Sequence, residues 1–360
     1  MKFRADIQGL RAVAVLLVIL HHAFPDFLPG GFFGVDVFFV ISGYIITQVL
    51  MRDIDKKWSS FFLEFYARRV RRILPSALLI IVTATLISYF FLGGITGDDT
   101  AVDGIYAALF AANIHFNNLA VDYFTSSLPQ PILQHYWSLS IEEQFYFLWP
   151  LIFFITARYR KLALITVLSI STMSFVWALL EISKGSGVAY FSTQTRVWEL
   201  GAGAALALIG KIRPHRLLSN LALLTLLMSA VVIKDGGDFP GGSALIVVTA
   251  TAILIWTGTD NPSLSNKAMV YLGDLSYLLY LVHWPVLHIF NLYQGTPANL
   301  LESLTLLSLV FLLSIALHHG FENPIRYSNI LMRKTSLTIW LGLTAIVITF
   351  LSLNLIRSAL

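Results

Sequence analysis

The chain has no cysteine. That excludes disulfides, thiolate metal sites and a thioester-forming nucleophile, and with the last of these one class of acyl-transfer chemistry. Charge is also scarce: Asp, Glu, Lys and Arg make up 12% of 360 residues, about half the ~25% of a soluble domain. So thin a polar coat excludes an ordinary cytosolic globule, a disordered chain and a collagen-like fibre. Residues 93–136 contain no lysine or arginine. No internal repeat is visible, which argues against a transporter built from duplicated halves. The net charge of +4 is no sign of nucleic-acid binding in so apolar a chain; what informs is where the basic residues sit.

What fills the chain is hydrophobic: 57% of its residues, with a mean hydropathy of +0.75. Runs such as 77–87 and 301–317 are continuous rather than alternating, which predicts helical spans and not barrel strands. Eleven spans fall near 12–27, 32–50, 74–92, 137–157, 162–181, 196–210, 217–233, 243–258, 271–293, 301–320 and 337–356. The predicted fold class is an all-α polytopic membrane protein of ten or eleven transmembrane helices. The first run follows Lys2, Arg4 and Arg11 like a signal peptide, but no small-residue cleavage site follows it, so it reads as a retained helix. With a cytoplasmic N-terminus, 20 of the 24 Lys and Arg residues lie on the inner side, as the positive-inside rule requires. The inner connection 51–73 carries an aromatic stretch, 58–66, expected as an interfacial amphipathic helix. The outer connection 93–136 holds Asp98, Asp99, Asp103 and Asp122 and ends at Pro129 and Pro131. Residues 1–335 read as a ten-helix membrane domain. The eleventh helix, 337–356, leads outward and stops close to Leu360, as if a larger protein had been cut there.

Three constellations carry chemistry. In the first, His21 and His22 end helix one and Asp36 lies a turn into helix two; the antiparallel pair puts His22 and Asp36 at one outer depth. Ionisable groups inside spans are costly and mark function, although two histidines can also snorkel at an interface. In the second, Ser138, Ser140, Glu142 and Glu143 open a helix that also begins outside, where its dipole favours anions. An imidazole with carboxylates at one level is what general-base activation of a hydroxyl needs; helix capping would account for one glutamate. In the third, Arg68 with Arg71 and Arg69 with Arg72 sit at i,i+3 spacing, each a pair able to fork onto phosphates. Contact with anionic lipid is the alternative. Arg196 and Glu199, His283, and Glu322 also place charge or imidazole in or beside spans. His318 and His319 lack acidic companions at metal spacing, so no metal is expected.

Leu10-Arg11-Ala12-Val13-Ala14 with His22, GGFFGVDVFFVISGY (30–44), RRVRRILP (68–75), WSLSIEEQFYFLWP (137–150), TRVWELGAG (195–203), LSYLLYLVHWP (275–285) and FENPIR (321–326) together resemble the integral-membrane acyltransferase family 3, in order and over essentially the whole chain. The resemblance implies a multi-pass bacterial inner-membrane O-acyltransferase, in which acetyl passes from cytoplasmic acetyl-CoA to a hydroxyl of a periplasmic glycan. Lipopolysaccharide O-antigen is the first acceptor expected. In the family the helix-one histidine is essential, which falls on His22 rather than His21. The arginine pair falls best on Arg69 and Arg72, with Arg68 and Arg71 open. Arg11, Ser42, Trp137, Glu143, Arg196, Glu199, His283 and Glu322 lie inside the matching motifs and are expected at or beside the site. Relatives with an eleventh helix continue into a periplasmic SGNH-like domain, whose serine and aspartate-histidine motifs are not found in these 360 residues.

On this reading His22 removes the acceptor proton, Asp36 or Glu142 orients the imidazole, and an acyl-imidazole is the rival route. The partners are then acyl-CoA, a glycan and the bilayer, with no nucleic acid. A glycan transporter or flippase is the competing function; it would need intramembrane His and Glu but not the Arg-x-x-Arg cluster.

Overall fold

The computed structural model describes residues 3–119, 130–184, 188–210, 214–234, 239–258 and 261–359. Lys2, Asp122, Pro129, Lys211 and Arg213 lie outside the described residues. All regular structure among the described residues is helical. The first part of the chain holds α1 (Ala5–Ala23), α2 (Gly34–Asp53), α3 (Trp58–Leu92), α4 (Gly94–Ala108), α5 (Ala112–Asn118) and α6 (Tyr136–Thr156). The middle holds α7 (Arg160–Ser183), α8 (Val188–Phe191), α9 (Thr193–Ile209), α10 (Arg216–Val232), α11 (Gly242–Thr257) and α12 (Pro262–Ser265). The last part holds α13 (Lys267–Gln294), α14 (Leu300–Leu317), α15 (Asn323–Arg326), α16 (Asn329–Arg333) and α17 (Thr335–Ala359). A π-helical turn, His318–Glu322, joins α14 to α15.

Each of the eleven apolar runs coincides with one helix, and among the described residues seven helices are long and apolar enough to cross a membrane. The protein is a multi-pass membrane protein. α9, α10 and α11 have 17, 17 and 16 residues, about 25 Å at 1.5 Å per residue, a little short of a ~30 Å hydrocarbon layer. In α6, Ser138, Ser140, Glu142, Glu143 and Gln144 dilute the hydropathy of the first turns. Much of the exterior is apolar: Leu168, Met173 and Trp177 of α7 and Trp340, Val347 and Leu351 of α17 all point outward, as lipid allows and water does not.

The structure differs from expectation at α3. The aromatic stretch and the third span form one 35-residue helix that passes through Pro75. At ~1.5 Å per residue this helix exceeds the hydrocarbon thickness, so its basic N-terminal turns extend the span rather than forming a separate surface helix.

The chain divides into two compact units. The first is built from residues 1–54 and 141–276. Its helices approach closely because glycine removes the side chain at the contact. A Cβ on Gly43 of α2 would stand 1.8 Å from the Leu200 carbonyl oxygen of α9, and one on Gly203 of α9 would stand 1.9 Å from that of Val40. The second half of α6 is tied to α2 by Trp149 Nε1, which donates to Thr47 Oγ1 at 2.8 Å.

The second unit comprises residues 55–121, 125–140 and 277–360. Tyr136 Oη donates to the Ala77 carbonyl and Tyr277 Oη to that of Ile73, fixing α6 and α13 to α3. α4 and α5 are joined by His115 Nε2 and Asp103 Oδ1 at 3.0 Å, with Tyr106 stacked on the imidazole at 4.1 Å. Burial raises the Asp103 pKa above its ordinary value, and His115 opposes the rise only in part. α14 starts at a capping box in which the Asn299 side chain accepts from the Glu302 backbone N–H and the Glu302 side chain accepts from that of Asn299.

Candidate active site

In the first unit α9 carries Arg196 one turn from its start and Glu199 a turn later, and both point into the bundle. Arg196 Nη2 donates to Asp36 Oδ1 at 3.2 Å, and Nη1 lies 3.1 Å from Glu199 Oε1. All three side chains are fully buried. The guanidinium lies 4.6 Å from the ring centre of Phe239 and 5.4 Å from that of Phe39. Two carboxyl groups thus share one cation in an aromatic box. Gly43 and Gly203 already bring α2 and α9 into backbone contact, and buried ion pairs are weak contributors to net stability. Such a cluster of buried ionisable groups is a candidate site.

Glu142 lies a turn and a half into α6 and is half-buried. Ser42 Oγ donates to its Oε1 at 2.7 Å and Tyr146 Oη to its Oε2 at 3.3 Å. Both of its oxygens are therefore oriented by hydroxyls. Glu143, the next residue, is also half-buried. At the end of α1 the two histidines differ. His21 is buried, and its Nδ1 bonds the Leu28 carbonyl at 2.9 Å, holding the turn into α2. His22 is half-buried, its ring centre 5.3 Å from that of His21. Arg11, near the middle of α1, is buried and donates to Ser276 Oγ at 2.8 Å and to Gln8.

In the second unit the four arginines of α3 divide by partner. Arg68 lies 3.6 Å from Glu64, and Arg71 donates to the Leu331 carbonyl at 3.1 Å. Arg69 sits 5.7 Å over the Phe65 ring, while Arg72 makes no hydrogen bond or ion pair among the described residues. Glu322, at the end of the π-helical turn, accepts from His318 Nδ1 at 2.9 Å and lies 3.6 Å from Arg326. His283 is fully buried, its Nδ1 bonded to the carbonyls of Tyr280 and Leu279 at 2.6 and 3.1 Å. Trp137 is buried at the start of α6. No group of three or more His, Asp or Glu among the described residues is placed to hold a metal ion.

Among the sequence candidates, then, Asp36, Arg196 and Glu199 come together, as do Ser42 and Glu142. Tyr146 was not among them. Its signal was present, because i,i+4 spacing from Glu142 puts the two on one helix face. The Arg196–Asp36 contact joins residues 160 positions apart and has no local signature.

The acyltransferase domain model matches residues 4–319. Peptidoglycan O-acetyltransferase OatA of Listeria monocytogenes is 30% identical over 350 residues, covering 90% of this chain and 56% of that protein. O-acetyltransferase OatA of Staphylococcus aureus is 31% identical over 352 residues, covering 90% of this chain and 57% of that protein. The chain thus spans little more than half the length of these relatives. No solved structure gives a significant match. The match of the domain model over most of the sequence, in the order the motifs require, assigns the chain to the integral-membrane acyltransferase family 3.

Proposed function

We propose that the protein is a membrane O-acetyltransferase that takes acetyl from cytoplasmic acetyl-CoA and delivers it to a hydroxyl of a cell-envelope glycan across the bacterial inner membrane. The observation that carries this reading is the family match over residues 4–319. The names of the relatives favour peptidoglycan as the acceptor to test first, with lipopolysaccharide O-antigen second.

On this proposal Arg69 and Arg72 grip the donor's phosphates. Arg72 is free of protein partners among the described residues, and guanidinium forks suit phosphate better than ammonium does. His22 accepts the proton of the acceptor hydroxyl as its oxygen attacks the thioester carbonyl. The C–S bond breaks, and the leaving thiolate takes that proton to give CoA-SH. Glu142, oriented by Ser42 and Tyr146, balances the imidazolium, and Asp36 acts through Arg196 to fix the start of α2.

Two measurements test the reading. Purified protein in detergent should release free CoA from acetyl-CoA when a glycan acceptor is present. Mass spectrometry of envelope glycans with and without the gene should show loss of acetyl esters. CoA release without any acceptor dependence, or unchanged acetylation, overturns it; movement of an unmodified glycan across vesicles would instead favour a transporter.

A further inference from the structure

Residues 130–135, which lead into α6 in the second unit, are bonded from several directions. Trp284 Nε1 donates to the Pro131 carbonyl at 3.0 Å, and His288 bonds that of Gln130. His135 Nε2 donates to the Leu281 carbonyl at 3.1 Å. Tyr280 Oη donates to the His135 carbonyl at 2.9 Å and also meets Ser138 Oγ. The segment is therefore built rather than loosely packed.

Among the described residues, Gln134 Oε1, Gln134 Nε2 and His135 Nδ1 have no hydrogen-bond partner. Gln134 is 0% exposed and His135 4%. A fully buried primary amide with neither end bonded is rare, because its desolvation goes uncompensated. The hydrogen on His135 Nε2 leaves Nδ1 as an acceptor. Burial, reinforced by nearby His283, holds this imidazole well below its ordinary pKa, so the ring stays neutral. The neighbours Tyr280, Ser138 and His283 carry no formal charge either. The unfilled set is thus one N–H donor group and two acceptors in a neutral setting.

We propose that Gln134 and His135 form a subsite for a ligand's secondary amide. The ligand's carbonyl accepts from Gln134 Nε2, and its N–H donates to His135 Nδ1 or Gln134 Oε1. A charged group would lack a counter-charge here, and a single hydroxyl would leave part of the glutamine unbonded. The identity of the ligand rests on the acyl-transfer reading above, in which two substrates carry such an amide: the pantetheine arm of the donor and an acetamido sugar of the acceptor.

The test uses the full chain in detergent and Gln134→Met, which keeps the side-chain length and removes its polar atoms. Two probe pairs differ in the amide: S-acetyl-N-acetylcysteamine against S-ethyl thioacetate, and chitotetraose against cellotetraose. The native chain should bind the amide-bearing member of one pair at least tenfold more tightly, and Q134M should erase that difference while leaving the amide-free member unchanged. An effect in the thioester pair assigns the donor; an effect in the sugar pair assigns the acceptor. Gln134→Leu repeats the comparison should Q134M fold poorly. The proposal is overturned if the native chain does not discriminate in either pair. It is also overturned if the variants keep the native discrimination and only gain thermal stability, the signature of an unsatisfied or merely hydrated amide. Absence of CoA release by the native chain would defeat the acyl-transfer reading, whereas the binding comparison would still decide the subsite.

Discussion

Ser42 and Glu142, a hundred residues apart in sequence, meet through a 2.7 Å hydrogen bond from hydroxyl to carboxylate. The contact aims one oxygen of the carboxylate and leaves the residue half-buried. Ser42→Ala should therefore lower the rate of acetyl transfer by about tenfold to a hundredfold, because a hydrogen bond to a charged group contributes about 1.5–3 kcal/mol. Folding should be little affected. Steady-state CoA release checks this, and an unchanged kcat would confine Ser42 to packing.

The two histidines of α1 should separate stability from chemistry. His21→Ala removes the bond to Leu28 and should lower the unfolding temperature while retaining most activity. His22→Ala should keep the fold and lose at least ~10² in rate. Near-normal glycan acetylation by the His22 variant would remove it from the mechanism.

The arginines of α3 should likewise divide. Arg69→Ala with Arg72→Ala should weaken binding of acetyl-CoA, and the lysine pair should restore it only in part, for want of a bidentate fork. Arg71→Ala should instead loosen the contact with Leu331 and show itself in thermal unfolding. Calorimetric titration with CoA distinguishes the two sets.

Arg196→Met leaves Asp36 and Glu199 buried without their cation. Breaking such a pair costs about 3–5 kcal/mol, so the variant should lose monodispersity and unfold at lower temperature in detergent. Combining it with Asp36→Asn should recover part of the loss, since one of the stranded carboxylates is then gone.

Asp103 supplies a pH test. Its folded pKa is raised by burial. The stability linked to it is therefore complete below the ordinary aspartate value and is lost as pH rises through the raised one. Asp103→Asn should flatten that part of the stability–pH curve, read by thermal unfolding across a pH series.

Much of the fold was legible because a membrane span announces itself by composition. Each of the eleven apolar runs became a helix, and their ends fell within a few residues of the expected ones except where charge or aromatics extended them, as in α1 and α3. Pro75 hid the continuity of α3, since proline ordinarily marks a boundary. At the candidate site, the residue types were legible and their partners were not. Asp36 reads in sequence as a neighbour of His22, whereas the structure gives its carboxylate to Arg196. Gln134 carries no sequence signal, because a missing hydrogen-bond partner exists only in three dimensions.

The reciprocal contact of Gly43 and Gly203 has a mechanical consequence. Each glycine receives a backbone carbonyl of the other helix, so a one-residue slip would drive a side chain into that oxygen. α2 and α9 are keyed against sliding and must travel as one lever. Any rearrangement that accompanies turnover therefore carries Asp36, Ser42, Arg196 and Glu199 together, and the joints that bend lie outside this pair.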